Sequence, residues 1–348
     1  MTRVRARGEE IRQFILEQVE AHPSDISKIT SAKFQITRQA VNQHLQKLAE
    51  EDCLTEKGKT RGRTYHLVPL SEWDRLYYIT PEIAEDIIWT NDVRPALGHL
   101  PDNVMNIWQH VFTEMCNNAI DHSGGTRIYV SLRRTAASTE MYLSDDGVGI
   151  FKKIQIAMGL LDERHAVLEL SKGKLTTDPR NHSGEGIFFS SRMVDFFDIL
   201  SGGVFFTHTF GEAEDWILER DRFDTGTKVR MKLNNHTART ARKIYDQYSS
   251  GDDYGFTKTV VPVRLAQYGN DKLISRSQAR RVLARVELFK VVIFDFASVE
   301  SIGQAFADEI YRVFALQHPE IGLFTAHANS AVKRMVERAK SGHAREQE

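Results

Sequence analysis

Glu114-Met115-Cys116-Asn117-Asn118-Ala119-Ile120-Asp121-His122-Ser123 closes an amphipathic stretch and carries its polar groups at helical spacing. Glu114 and Asn118 stand at i and i+4, so a carboxylate and a carboxamide share one helix face, with Asp121 and His122 continuing the line a turn later. Such a pair can hold magnesium, which takes oxygen ligands and keeps several of its waters. Taken alone, Glu and Asn at this spacing are also what an ordinary solvated helix face shows. The words that follow decide between the two.

Downstream, Tyr142-Leu143-Ser144-Asp145-Asp146-Gly147-Val148-Gly149-Ile150 runs a strand into an acidic turn whose glycines allow close approach of backbone to a ligand. Ser183-Gly184-Glu185-Gly186-Ile187-Phe188-Phe189-Ser190 then opens a helix on a glycine pair, where exposed N–H groups and the helix dipole favour phosphate. Gly226-Thr227-Lys228-Val229 begins a further strand. Each signal is weak alone, because a lone G-x-G is usually a turn.

In this order, the stretch from Glu114 to Val229 resembles the Bergerat-type (GHKL) ATPase fold shared by DNA gyrase, heat-shock chaperones, mismatch-repair ATPases, histidine kinases and anti-sigma-factor kinases. The resemblance implies an α/β sandwich over residues 78–236 that binds ATP and Mg2+. It makes Asn118 the magnesium-binding asparagine and Asp145 the acceptor of the adenine amino group. Gly147 and Gly149 lie beside adenine, Gly184 and Gly186 end the lid over the phosphates, and Thr227 supports the adenine site. Asp121 is counted with the nucleotide-binding residues, and Glu114 is both the proposed general base and a second oxygen donor near the metal. A carboxylate there could orient a water or a substrate hydroxyl toward the γ-phosphate.

Between these words, Phe151 to Ser183 is too long for a structureless loop, which predicts a helix near residues 152–171 and a mobile lid from Lys172 to His182. Lys172, Lys174 and Arg180 are candidate phosphate partners there, against the plainer reading of a solvated loop. Neither His122 nor His182 is assigned as a phosphoacceptor, since residues 78–110 offer no acceptor-helix pattern, and His110 is read as structural.

Toward the N-terminus, Ile11, Phe14, Ile15 and Val19 recur at helical spacing, and Thr37 is an N-cap for a helix that buries Val41, Leu45 and Leu48. Its other face carries Arg38, Gln39, Asn42, Gln43 and Gln46, side chains able to read base edges in a major groove. Lys57, Lys59, Arg61 and Arg63 alternate with Gly58 and Gly62, as in a basic hairpin laid over phosphates. Residues 8–68, and Ile36-Thr37-Arg38-Gln39-Ala40-Val41-Asn42-Gln43-His44-Leu45 above all, resemble a bacterial winged helix-turn-helix regulator, which implies double-stranded DNA as partner. The bland alternative is a three-helix interaction module with a solvated polar face.

Toward the C-terminus, strand and helix patterns alternate over residues 256–342, which suggests a small α/β domain. Phe294-Asp295-Phe296-Ala297-Ser298-Val299-Glu300-Ser301-Ile302-Gly303-Gln304-Ala305-Phe306 resembles the STAS-like branch of anti-sigma-factor antagonists, implying a protein partner. Gln304 stands where phosphoregulated members carry serine, and Ser301 reads as a cap or turn residue.

The whole is thus expected to be a multidomain α+β protein. A net charge of -1 excludes a chain that is basic throughout, so any nucleic-acid surface must be local. No apolar run approaches the roughly 18 residues of a membrane span, and with no signal-peptide core the expected location is the cytoplasm, without membrane contact. Cys53 and Cys116 lack any C-x-x-C partner and fit neither a disulfide framework nor a zinc site. Three functional classes fit: an ATP-binding, homodimeric DNA-binding regulator; a protein serine or histidine kinase of the anti-sigma-factor type; and a DNA-bound ATPase of a defence or mobile-element locus.

Overall fold

The computed structural model describes residues 3–59, 62–175, 184–212, 216–249, 255–267 and 272–344. Three helices come first: α1 (Arg3–Gln18), α2 (Ile26–Phe34) and α3 (Arg38–Glu50). Thr37 Oγ1 accepts the Ala40 N–H at 3.2 Å and fixes where α3 begins. A hairpin of β1 (Leu54–Lys57) and β2 (Thr64–Leu67) follows, with Leu54 opposite Leu67. Ile15, Val19, Ile26, Val41, Leu45, Leu54 and Leu67 belong to a hydrophobic core distinct from that of the central and C-terminal regions. That core also takes Ala137 from the central region, and Lys232 reaches Glu20 at 2.6 Å, so the unit is seated on one end of the central sheet.

The central sheet starts earlier than residue 78, because β3 (Ser71–Tyr78) pairs along its whole length with β4 (Arg127–Arg134). Between them lie α4 (Glu85–Ile88), a π turn (Trp89–Val93), α5 (Arg94–Leu97) and α6 (Asp102–Asn117), which runs on into a π turn at Asn118–His122. Then come β5 (Ser138–Asp145), α7 (Ile150–Met158), α8 (Glu163–Lys172), α9 (Gly186–Met193), β6 (Phe196–Thr209) and β7 (Trp216–Asn234). The strands form one antiparallel sheet in the order β3-β4-β5-β7-β6. Alternate residues such as Val130, Leu143 and Met231 face inward with Trp108, Val111 and Phe112 of α6 in one buried cluster. Phe112 is wholly buried, and cutting it to alanine would cost about 3–5 kcal/mol.

The one helix expected over 152–171 is two. Gly159 ends α7 in the left-handed region at φ 61°, and Asp162 caps α8 by accepting the Arg164 and His165 amides.

After α10 (Ala241–Gln247), a parallel sheet in the order β10-β9-β8 is built from β8 (Lys258–Pro262), β9 (Val291–Asp295) and β10 (Gly322–Ala326). Its helices are α11 (Arg276–Leu283), α12 (Gln304–Asp308) with a π continuation (Glu309–Phe314), α13 (Ala315–Gln317) and α14 (Ser330–Ala344). Ser275 and Gln278 form a capping box at the start of α11. α11 stops at Leu283, and Arg285, at φ 64°, turns the chain. The protein is therefore a multidomain α+β molecule with a small C-terminal α/β domain. Unlike the N-terminal unit, this domain shares one hydrophobic core with the central sheet, through Leu170, Phe188, Phe256 and Phe289. Among the described residues, no helix is long and apolar enough to cross a membrane.

Candidate functional site

The residues picked out by spacing converge on one cavity of about 290 Å³, at the lower edge of the usual range for small-molecule sites, roughly 300–1,000 Å³. Glu114 from α6, Asn118 from the π turn that follows it, Asp145 at the end of β5, Gly149 just before α7, Gly184 before α9 and Gly186 at its first position, and Thr227 from β7 all line it. The apolar walls include Leu143, Ile150, Ile154, Ile199 and Val229.

Asp145 sits at the end of β5, where the strand gives way to a tight turn. Its Oδ1 accepts the Gly147 amide at 2.9 Å and the Thr227 amide at 3.2 Å. Burial pushes its carboxyl above the usual range, and those two amides pull the other way. The Thr227 hydroxyl oxygen accepts the Ile150 amide at 3.0 Å, so β7 also fixes the start of α7. Asp146, next in sequence, points elsewhere: it accepts from the Thr126 and Arg127 amides and from Arg127 Nε, which holds its carboxyl well below the ordinary range. One member of the acidic pair faces the cavity and the other clamps the turn.

The glycines divide by what a side chain would meet. A Cβ on Gly147 would lie 2.2 Å from the Ser123 carbonyl oxygen and one on Gly226 2.0 Å from that of Asp145, so these two keep backbone segments in contact. Gly147 itself is not part of the cavity wall. A Cβ on Gly186 would lie 1.8 Å from Glu114 Oε2, which places the carboxylate against the first residue of α9. Nearby, burial and the charges of Glu114 and Glu185 push the Tyr245 hydroxyl up to about 12.

Asp121 is not brought into the cavity; it is exposed on the outer side, while His122 lines the wall. The reason is the π turn at Asn118–His122. Its i→i+5 bonding widens the turn and delays the phase by one residue, so the position that an α-helix would aim inward at Asp121 passes to His122. Lys153 also lines the cavity, and its Nζ donates to the His122 carbonyl. Sequence reading missed Lys153. It stands three residues after Ile150 and one before Ile154, and that shared helical face is the signal that could have found it.

Neither candidate lysine of the expected lid faces the cavity. Lys172 is wholly buried at the end of α8, where its ammonium meets Glu169 at 2.7 Å, and burial lowers its pKa. Lys174 donates to the Leu288 carbonyl at 3.0 Å and lies over the Phe289 ring. Arg180 and His182 fall outside the described residues. His110 lies within hydrogen-bond distance of the Tyr245 hydroxyl at 3.3 Å. Among the described residues no cluster of three or more His, Cys, Asp or Glu could hold a metal ion; Glu114 and Asn118, expected at the magnesium, both line the cavity.

In the N-terminal unit, Arg38, Gln39, Asn42 and Gln43 are exposed along one face of α3, opposite the buried Val41 and Leu45. The Asn42 carboxamide accepts from Ser27 at 3.4 Å. Lys57, Lys59 and Arg63 are exposed on the hairpin, with Arg63 near Glu56 at 3.4 Å. Arg61 lies outside the described residues.

A family model for the STAS-like domain of unknown function (DUF4325) matches residues 278–333. The match runs from α11 into α14 and so covers most of the small C-terminal domain. No curated protein matches the chain.

Proposed function

We propose that this protein binds ATP with magnesium in the central cavity and DNA through its N-terminal unit, as a nucleotide-responsive regulator. The observation that carries the nucleotide half is Asp145. It is a half-buried carboxylate with one oxygen held by two backbone amides, set in an apolar cavity that also contains Glu114, Asn118 and the Gly184–Gly186 turn. A carboxylate fixed in this way suits a ligand that presents an amino group, as adenine does. At the other end of the cavity, Asn118 and Glu114 would hold magnesium, which neutralises phosphate charge, while the amides opening α9 and the Lys153 ammonium favour the phosphates themselves.

The antiparallel sheet with helices over one face, and these residues in this order, support a Bergerat-type reading of the central domain. Three helices with a basic hairpin support a winged helix, with α3 presented to the major groove and the hairpin to phosphates. The STAS-like domain suggests a regulatory role and a protein partner. A homodimer on inverted half-sites fits such a DNA-binding unit.

Calorimetry with MgATP on the wild type, Asn118→Ala and Asp145→Asn tests the proposal. Wild-type binding that both substitutions abolish, and that shifts in the presence of cognate DNA, is the expected result; a wild type that binds no MgATP overturns it.

A further inference from the structure

The contacts between α8 and the STAS-like domain are unusual in being polar, buried and reciprocal. Lys172 Nζ, wholly buried, donates to the carbonyls of Arg281 at 3.0 Å and Ala284 at 2.8 Å, the last residues of α11 and its turn. In the opposite direction, Arg285 donates through Nη2 to the carbonyls of Gly173, at 3.1 Å, and Lys174. Glu169 joins the two, meeting Lys172 with one oxygen at 2.7 Å and Arg285 with the other at 3.2 Å. Thr259 on β8 adds a bond to the Lys172 carbonyl at 2.6 Å. A planar guanidinium that spans a carboxylate and two consecutive carbonyls fixes a backbone run in a way that a lone ammonium does not.

The run so fixed leads directly to the cavity. Gly173 and Lys174 precede Leu175, whose amide donates to the Gly184 carbonyl at 2.9 Å, and both Leu175 and Gly184 line the cavity. Aromatic packing reinforces the arrangement: Phe188, also in the cavity wall, lies 4.5 Å from Phe256, which in turn lies 5.1 Å from Phe289 after the α11 turn.

We infer that Arg285, contributed by the STAS-like domain, is a positioning residue for the nucleotide cavity: by gripping Glu169 and the Gly173 and Lys174 carbonyls, it sets Leu175 and Gly184 in the wall. This rests on the nucleotide reading above. It follows that anything that displaces the α11 turn, such as a partner of the STAS-like domain, weakens nucleotide binding, and that bound nucleotide resists that displacement by the same factor.

The test uses the full chain as wild type, Arg285→Ala and Arg285→Lys, with MgATP titrated by calorimetry and hydrogen exchange followed at the Leu175 amide and, as an internal control, at Val282 inside α11. The expected result is a rise in Kd for Arg285→Ala within the usual coupling range of about 5- to 150-fold. Exchange should quicken at Leu175 and not at Val282, and Arg285→Lys, which keeps a cation for Glu169, should recover part of the loss. A general loosening of the fold would quicken both amides, and that outcome overturns the inference. So does an Arg285→Ala protein that binds MgATP like the wild type. A wild type that binds no MgATP overturns the nucleotide reading itself, and with it the role assigned to Arg285.

Discussion

Asp145 Oδ1 accepts the backbone amide of Thr227 at 3.2 Å across 82 residues of chain, and this bond joins the acidic turn after β5 to the strand beside it. An asparagine keeps the acceptor oxygen for that amide but has no charge. Since burial raises the Asp145 pKa, its stabilising contribution is full below the unfolded carboxyl's pKa and lost as pH rises through the folded one. At neutral pH the ionised group is thus a cost to the fold. Asp145→Asn is expected to unfold at the same temperature as the wild type or higher at pH 7, while losing MgATP binding. A lower melting temperature together with retained binding would contradict the assignment.

The same shift gives a pH dependence for the ligand. As pH falls, Asp145 takes up its proton before an ordinary carboxyl does and ceases to be a full acceptor. MgATP affinity should therefore weaken at a pH above the ordinary aspartate range, and titrations from pH 7 downward would show it. An affinity unchanged until ordinary carboxyls titrate would mean that Asp145 does not accept from the ligand.

The glycines separate folding from chemistry. Alanine at Gly147 would press on the Ser123 carbonyl, which cannot move without its turn, so Gly147→Ala should lower stability by about 1–3 kcal/mol in thermal unfolding. Alanine at Gly186 meets the tip of the Glu114 side chain, which can swing aside. Gly186→Ala is expected to stay folded and, by displacing the Glu114 carboxylate, to weaken MgATP binding about as much as Glu114→Gln, measured by calorimetry on both variants. Binding at wild-type strength in Gly186→Ala would remove Glu114 from the role assigned to it.

Glu114, Asn118 and Asp145 could be read from the chain because helical spacing and glycine-flanked turns are local properties, and each maps directly onto the cavity. The start of α3, capped by Thr37, was legible for the same reason. Asp121 was misplaced by a π turn that changes helical phase without leaving a mark in composition. Lys172 and Lys174 looked like loop cations, since nothing local reveals that carbonyls of Arg281, Ala284 and Leu288, more than a hundred residues away, come to meet them. β3 was passed over because its alternation is weak at the sheet edge, where one side has no neighbouring strand.

Lys172 offers a direct measure of that distant contact. Methionine would fill the space of its stem yet leave the Arg281 and Ala284 carbonyls without their donor and Glu169 with Arg285 alone. Breaking a buried pair on one side costs about 3–5 kcal/mol, so Lys172→Met should lower the unfolding free energy by roughly that amount in urea. A surface lysine would show almost no change.

For the N-terminal unit, two substitutions distinguish the roles assigned to the hairpin and to α3. Lys57 is exposed and basic, so Lys57→Ala should weaken binding to every duplex alike and reduce the slope of log affinity against log salt by about one. Gln43 is an exposed amide on α3, and Gln43→Ala should leave that slope unchanged while costing about 1–3 kcal/mol at one base pair of a duplex selected from a random pool. The contrast matters because a solvated helix face and a recognition face look alike in burial. If Gln43→Ala leaves sequence preference unchanged while Lys57→Ala lowers the slope, the unit holds DNA only through phosphates. If neither substitution changes binding, the DNA half of the proposal fails.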